Sequence, residues 1–98
     1  MILVTRDRSK IWIKGHAFYD EYGKDIVCSA VSSIATTTIN GILSINKEAI
    51  RYQVEDAFIQ IEILSLDNIT LKLIDNMMEM LTKLSKDYPK NIQIKEGV

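Results

Sequence analysis

The chain has 98 residues, 47% of them hydrophobic and 26% charged, with one proline, four glycines and a formal net charge of −1. Disordered and fibrous proteins are excluded by this composition, and a chain of this size buries about two-thirds of its unfolded surface, enough for one core. Basic and acidic residues are spread along the whole length, so there is no cationic face and no direct nucleic-acid partner is expected.

Residues 1–5 (MILVT) and 10–14 (KIWIK) are short β-rich runs joined by the polar RDRS, which predicts a hairpin with Ile11 and Ile13 on one face of its second strand. The next ten residues, GHAFYDEYGK, follow no period. Their glycines, aromatics and acidic side chains suggest a functional loop. From Asp25 the period becomes helical. Val27, Ala30, Val31, Ile34, Ala35 and Ile42 fall in one sector, with Ser29, Ser33, Thr36, Thr37 and Asn40 opposite, predicting a helix over 26–42 whose outer face is polar but uncharged.

AIRYQVE and FIQIEIL then alternate, setting Ile50, Tyr52 and Val54, and afterwards Ile59, Ile61 and Ile63, on single strand faces; the tight EDA connection makes them a hairpin. Residues 69–86 place Leu73, Met77, Leu81 and Leu84 on a second helical stripe, with Asp67 or Asn68 as N-cap and Tyr88-Pro89 closing it. Met77, Met78 and Met80 widen this helix's apolar girth and offer part of it to a subunit contact. NIQIKE alternates once more as a final strand. The order β-β-α-β-β-α-β predicts a single α+β domain over residues 1–98: a mostly antiparallel sheet with two helices packed against it, without linker or repeat.

MILVTRDRSK puts its apolar residues before its basic ones, unlike a signal peptide, and no run is expected to span a membrane, so the expected compartment is the cytoplasm. The lone Cys28 can form no internal disulfide, and without ligand-spaced neighbours it makes no zinc site; no metal or cofactor is expected.

Cys28 and the lone His16 nevertheless lie twelve positions apart around the loop. A thiol attacks a carbonyl well only as thiolate, and the sequence holds two devices that favour the anion. With Asp25 as N-cap, Cys28 is the third residue of the helix, where free N–H groups and the positive end of the helix dipole favour a negative sulfur. His16, just after Gly15 at a strand end, is placed to return across the loop. On residue chemistry alone the plain readings stay open beside these. Cys28 is then a small buried hydrophobe, His16 a surface or structural residue, Asp25 a simple cap, Phe18, Tyr19 and Tyr22 loop packing, and Ser32 a solvated hydroxyl.

The stretch GHAFYDEYGKDIVCSAVS resembles the signature of the ribosomal-processing cysteine protease family: Gly-His-Ala, a short variable loop, then Gly-x-Asp-Ile-Val-Cys-x-Ala-Val-Ser. Gly15, His16, Ala17, Gly23, Asp25, Ile26, Val27, Cys28, Ala30, Val31 and Ser32 match, while Ser29 replaces a common alanine on the polar side of the helix. The resemblance implies a cytoplasmic homodimeric endopeptidase that removes the N-terminal extension of ribosomal large-subunit protein twenty-seven. By the same resemblance Cys28 is the nucleophile and His16 its base and acid, with Gly15, Asp25 and Ser32 in support. The family's cleavage segment is apolar and aromatic, and Phe18, Tyr19 and Tyr22 would suit it. Asp20 and Glu21 would attract a basic protein only weakly once screened by salt. Asp25 is expected to cap the helix or orient His16, amides at the helix start to hold the oxyanion, and loop 17–24 to order over the peptide as a lid. Two other classes stay open at this point: a non-catalytic ribosome-assembly adaptor that docks through the aromatic loop, and a redox-sensing thiol protein.

Overall fold

The computed structural model describes residues 1–97 and contains seven elements: β1 (Ile2–Arg6), β2 (Lys10–Lys14), α1 (Ile26–Ile45), β3 (Ile50–Glu55), β4 (Phe58–Ile63), α2 (Asn68–Asp87) and β5 (Ile92–Glu96). The five strands form one sheet in the order β3-β4-β2-β1-β5. Every neighbouring pair is antiparallel except β1 with β5. The α+β class and the element order are those the sequence implies. It follows from the pairing that β3 runs in the direction of β2, and β5 in the direction of β4. Each helix is therefore a crossover: α1 carries the chain from β2 past β4 to β3, and α2 carries it from β4 past β2 and β1 to β5.

Both helices cover one face of the sheet. That face carries Ile2, Val4, Ile11, Ile13, Ile59, Ile61 and Ile63, all buried, while the opposite side chains of the same strands remain at least partly exposed. Ile11, Ile61, Ile74 and Leu81 are fully buried. Side chains of this size contribute roughly 1.5–3 kcal/mol each on burial, and truncating Ile61 to alanine would cost about 2–5 kcal/mol. On the open face Trp12 Nε1–H donates to Gln60 Oε1 at 3.2 Å, and the Lys14 ammonium lies 6.0 Å from the Trp12 ring and 5.8 Å from the Phe58 ring.

The helices differ from expectation in ways that packing explains. α1 continues three residues beyond 42 to Ile45 before Asn46 ends it, and its buried stripe is Val27, Val31, Ala35, Ile39 and Ile42, with Ala30 and Ile34 at its margin. This is mostly an i, i+4 row, the ridge a helix presents to a packed neighbour. Thr36 and Thr38 return their hydroxyls to the carbonyls of Ser32 and Ile34, so neither hydroxyl is left unpaired on the helix. By length and composition α1 is also apolar enough to cross a membrane, with a mean hydropathy of 1.5, contrary to the sequence reading; in this fold its apolar row packs into the core. In α2 the buried centre is Ile74, Met77, Met78 and Leu81, and Leu73 and Leu84 only flank it. Met77 and Met78 thus fill the core, which leaves Met80 as the exposed methionine of the three expected to offer a subunit contact.

Candidate active site

The site forms where β2 ends, α1 begins and the β3–β4 hairpin turns. Gly15 starts it. Its φ of +97° suits a residue without Cβ, and a Cβ there would sit 2.5 Å from the Met1 carbonyl oxygen. The Gly15 N–H donates to the Ala57 carbonyl at the hairpin tip, 2.9 Å away. His16 follows, half-buried, its ring 5.9 Å from that of Phe18 and 6.1 Å, edge-on, from that of Tyr22.

Ala17 is buried and works through its backbone. Its N–H donates to Cys28 Sγ at 3.3 Å, and its carbonyl accepts from Asn91 Nδ2 at 3.0 Å. Phe18 takes a positive φ of 56°. Asp25 then fastens the loop. Its Oδ1 accepts the amides of Val27 and Cys28 at 2.9 and 3.0 Å, and its Oδ2 accepts those of Tyr19 and Asp20 at 2.8 and 3.2 Å. Burial pushes this carboxyl up, but the four N–H donors together hold it below its ordinary value. One side chain therefore caps α1 and ties the loop to the cap.

His16, Cys28, Ser29 and Ser32 line a common cleft of about 520 Å³, with Phe18 and Tyr22 on the loop side and Val54 to Ile59 on the hairpin side. Cys28 is half-buried at the third position of α1, as the capping arithmetic implies. An anionic sulfur there gains an N–H donor from Ala17 and the field of the first helical turn. Among the described residues, no group of three or more His, Cys, Asp or Glu is placed to hold a metal ion.

Four expectations are corrected by this geometry. Asp25 does not orient His16, because both its oxygens take backbone amides. Tyr19 does not line the cleft; its ring packs edge-on against Tyr88 at 5.3 Å and so anchors the loop from outside. The amides of Val27, Cys28 and Ser29 are taken by the Asp25 side chain and carbonyl, so these three are not free to hold an oxyanion. The loop is also held at Ala17, Tyr19 and Asp20, which fixes the backbone on both sides of Phe18 and leaves only the stretch around Tyr22 built like a lid. Asn91 is the positioning residue that sequence reasoning missed. Its partner Ala17 lies 74 positions away, and nothing in NIQIKE distinguishes it from a strand-edge asparagine.

Comparison with known proteins gives one consistent result. Residues 2–93 match the family model described as Cysteine protease Prp. The ribosomal processing cysteine protease Prp of Staphylococcus aureus is 30% identical over 98 residues, covering 94% of this chain and 92% of that protein. In fold, the chain is similar to the crystal structure of the S. aureus protease with a covalently linked product peptide, with a TM-score of 0.86 and 21% identity over 98% of this chain and 97% of that one. A second structure of that enzyme, with a substrate peptide, gives a TM-score of 0.81 and 20% identity over the same shares.

Proposed function

The chain belongs to the cysteine protease Prp family, and on that footing we propose that it removes the N-terminal extension of ribosomal large-subunit protein twenty-seven, with Cys28 as nucleophile and His16 as base and acid. The observation that carries this reading is the thiol itself: Cys28 Sγ sits in the first turn of α1, receives the Ala17 N–H, and opens into the cleft that His16 also lines. Relatives from S. aureus solved with substrate and covalently linked product peptides support a peptide as the ligand of such a cleft.

His16 takes the Sγ proton as the sulfur bonds to the scissile carbonyl carbon, and the carbonyl electrons move onto oxygen, within reach of the Ala17 N–H. When the C–N bond breaks, His16 returns that proton to the leaving amine and a thioester remains on Cys28. Water then attacks the thioester while His16 takes one of its protons. The sulfur leaves, is reprotonated, and the new carboxylate product departs. Gly15 sets the turn that brings His16 to the cleft, Asp25 holds loop to helix, Phe18 and Tyr22 face an apolar segment at the mouth, and the Ser32 hydroxyl lies on the cleft wall one turn beyond Cys28. The signature's resemblance also implies the cytoplasm as compartment and a homodimer as working form.

The test is direct. Full-length large-subunit protein twenty-seven from the same genome, incubated with the enzyme, should lose the mass of its N-terminal extension, and Cys28→Ala should leave it whole. An unchanged substrate mass with the wild-type enzyme would overturn the reading.

A further inference from the structure

β3 is an edge strand, and its edge is continuous with the cleft. Glu55 and Phe58 are opposed across the two-residue turn Asp56-Ala57, and such a closing pair exchanges hydrogen bonds. Counting back by twos, Gln53 and Arg51 also bond to β4. Val54 and Tyr52 therefore turn their N–H and C=O groups outward, away from the sheet. Their side chains lie on the helix-covered face, opposite Ile59 and Ile61, yet the helices stop short of them: Tyr52 is 50% and Val54 47% exposed. Arg51, Gln53 and Glu55 point to the other face of the sheet. The cleft that holds Cys28 and His16 is lined by Val54 and by the hairpin tip through Ile59. The tip is fixed to the catalytic side by the bond from Gly15 N–H to the Ala57 carbonyl.

We propose that this free edge is the track on which the substrate lies: an extended apolar peptide segment adds as a sixth strand beside β3. Its backbone pairs with the outward N–H and C=O groups of Tyr52 and Val54, and every second side chain rests on those two residues, of which Val54 lines the cleft. Backbone pairing supplies sequence-independent binding and fixes the depth to which the scissile bond enters, while Val54 and Tyr52 select apolar side chains. A proline at a pairing position of the peptide is excluded, because it donates no N–H. The inference rests on the protease reading above and deepens it by naming where the peptide binds.

Amide hydrogen exchange followed by NMR on the Cys28→Ala protein tests it, with a synthetic peptide spanning the N-terminal extension of large-subunit protein twenty-seven as probe. Saturating peptide should slow exchange at the Tyr52 and Val54 amides at least about tenfold and leave Gln53, already paired with β4, unchanged. In otherwise wild-type enzyme, Val54→Lys should raise KM for that peptide by about tenfold or more, with kcat and the iodoacetamide alkylation rate of Cys28 within about threefold of wild type; Arg51→Ala, on the other face, should change neither KM nor kcat. If the wild-type enzyme cuts the peptide while the Tyr52 and Val54 amides exchange at unaltered rates, the β3 track is wrong and the protease reading survives. If the wild-type enzyme leaves the peptide uncut, the protease reading falls and this inference falls with it.

Discussion

The two helices begin with the same device and come to different ends. Asp25 caps α1 and Asp67 caps α2, each in extended conformation, and each accepts the amide of the residue three positions on, Cys28 or Thr70. Both carboxyls are held below their ordinary value, Asp25 by its N–H donors working against burial and Asp67 chiefly by the Ser65 hydroxyl. At α2 the second carboxylate oxygen is taken locally by the hydroxyls of Ser65 and Thr70, and Thr70 is buried. At α1 the second oxygen reaches out to the amides of Tyr19 and Asp20 and thereby holds a loop, while Cys28 opens to a cleft. A carboxylate cap that accepts the amide of the third helical residue is thus a common structural part. What sets the α1 cap apart is the loop that its spare oxygen fastens, which follows His16 and carries the Ala17 N–H.

Breaking the third position should give the largest contrast. Cys28→Ala removes only a small, half-buried sulfur, so its melting temperature should stay near wild type while kcat/KM falls by at least about a thousandfold. Thr70→Ala should do the reverse, costing about 1 kcal/mol of stability with activity kept. A Cys28→Ala protein that fails to fold, or that still cleaves, breaks the comparison. His16→Ala comes next, with an expected loss of about 10²–10⁴ in kcat/KM and slower iodoacetamide alkylation of Cys28 at neutral pH. Unchanged alkylation would mean the thiol is reactive without His16, as in a redox sensor.

Much of this was legible from short-range pattern. The strand alternations, the two caps and the placement of Cys28 at the third helical position all follow from residues within a few positions of one another, and the Gly-His-Ala and Asp-Ile-Val-Cys runs carried the family. What stayed hidden is tertiary. The second oxygen of Asp25 and the Ala17 N–H act through backbone atoms that leave no mark in the sequence. Tyr88 and Asn91, which hold Tyr19 and Ala17, come from the turn after α2, far along the chain. Tyr52 and Val54 alternate like core residues, and only the order of strands, with β3 at the edge, leaves them uncovered.

Smaller effects sharpen the contrast. Asn91→Ala removes the donor to the Ala17 carbonyl and should cost about 1 kcal/mol of stability together with a several-fold loss of kcat/KM; a stability loss with activity intact would make Asn91 a fold residue only. In acid the caps should behave alike. A carboxyl whose folded value is lowered stabilises the fold fully above its ordinary value of 3.8 and loses that contribution as the pH falls through the lowered value. Asp7, Asp25 and Asp67 all have this sign, so melting temperature should hold from pH 7 to about pH 5 and drop below about pH 4. Asp25→Asn and Asp67→Asn should each flatten part of that drop. A melting temperature that rises on acidification would contradict the sign.

The measurement that bears most directly on the latch is kcat/KM for a cleavable peptide in Asp25→Asn beside Asp67→Asn, each with its melting temperature. Asparagine keeps one oxygen to cap the helix but turns an NH₂ toward amides that need an acceptor, so in Asp25→Asn the cap survives and the hold on Tyr19 and Asp20 is lost. The two variants should then melt within a few degrees of each other, with Asp25→Asn slower than wild type by about 10- to 100-fold, as expected of a misplaced catalytic group, and Asp67→Asn cleaving at the wild-type rate. Equal kcat/KM in both variants would show that Asp25 is a helix cap and nothing more.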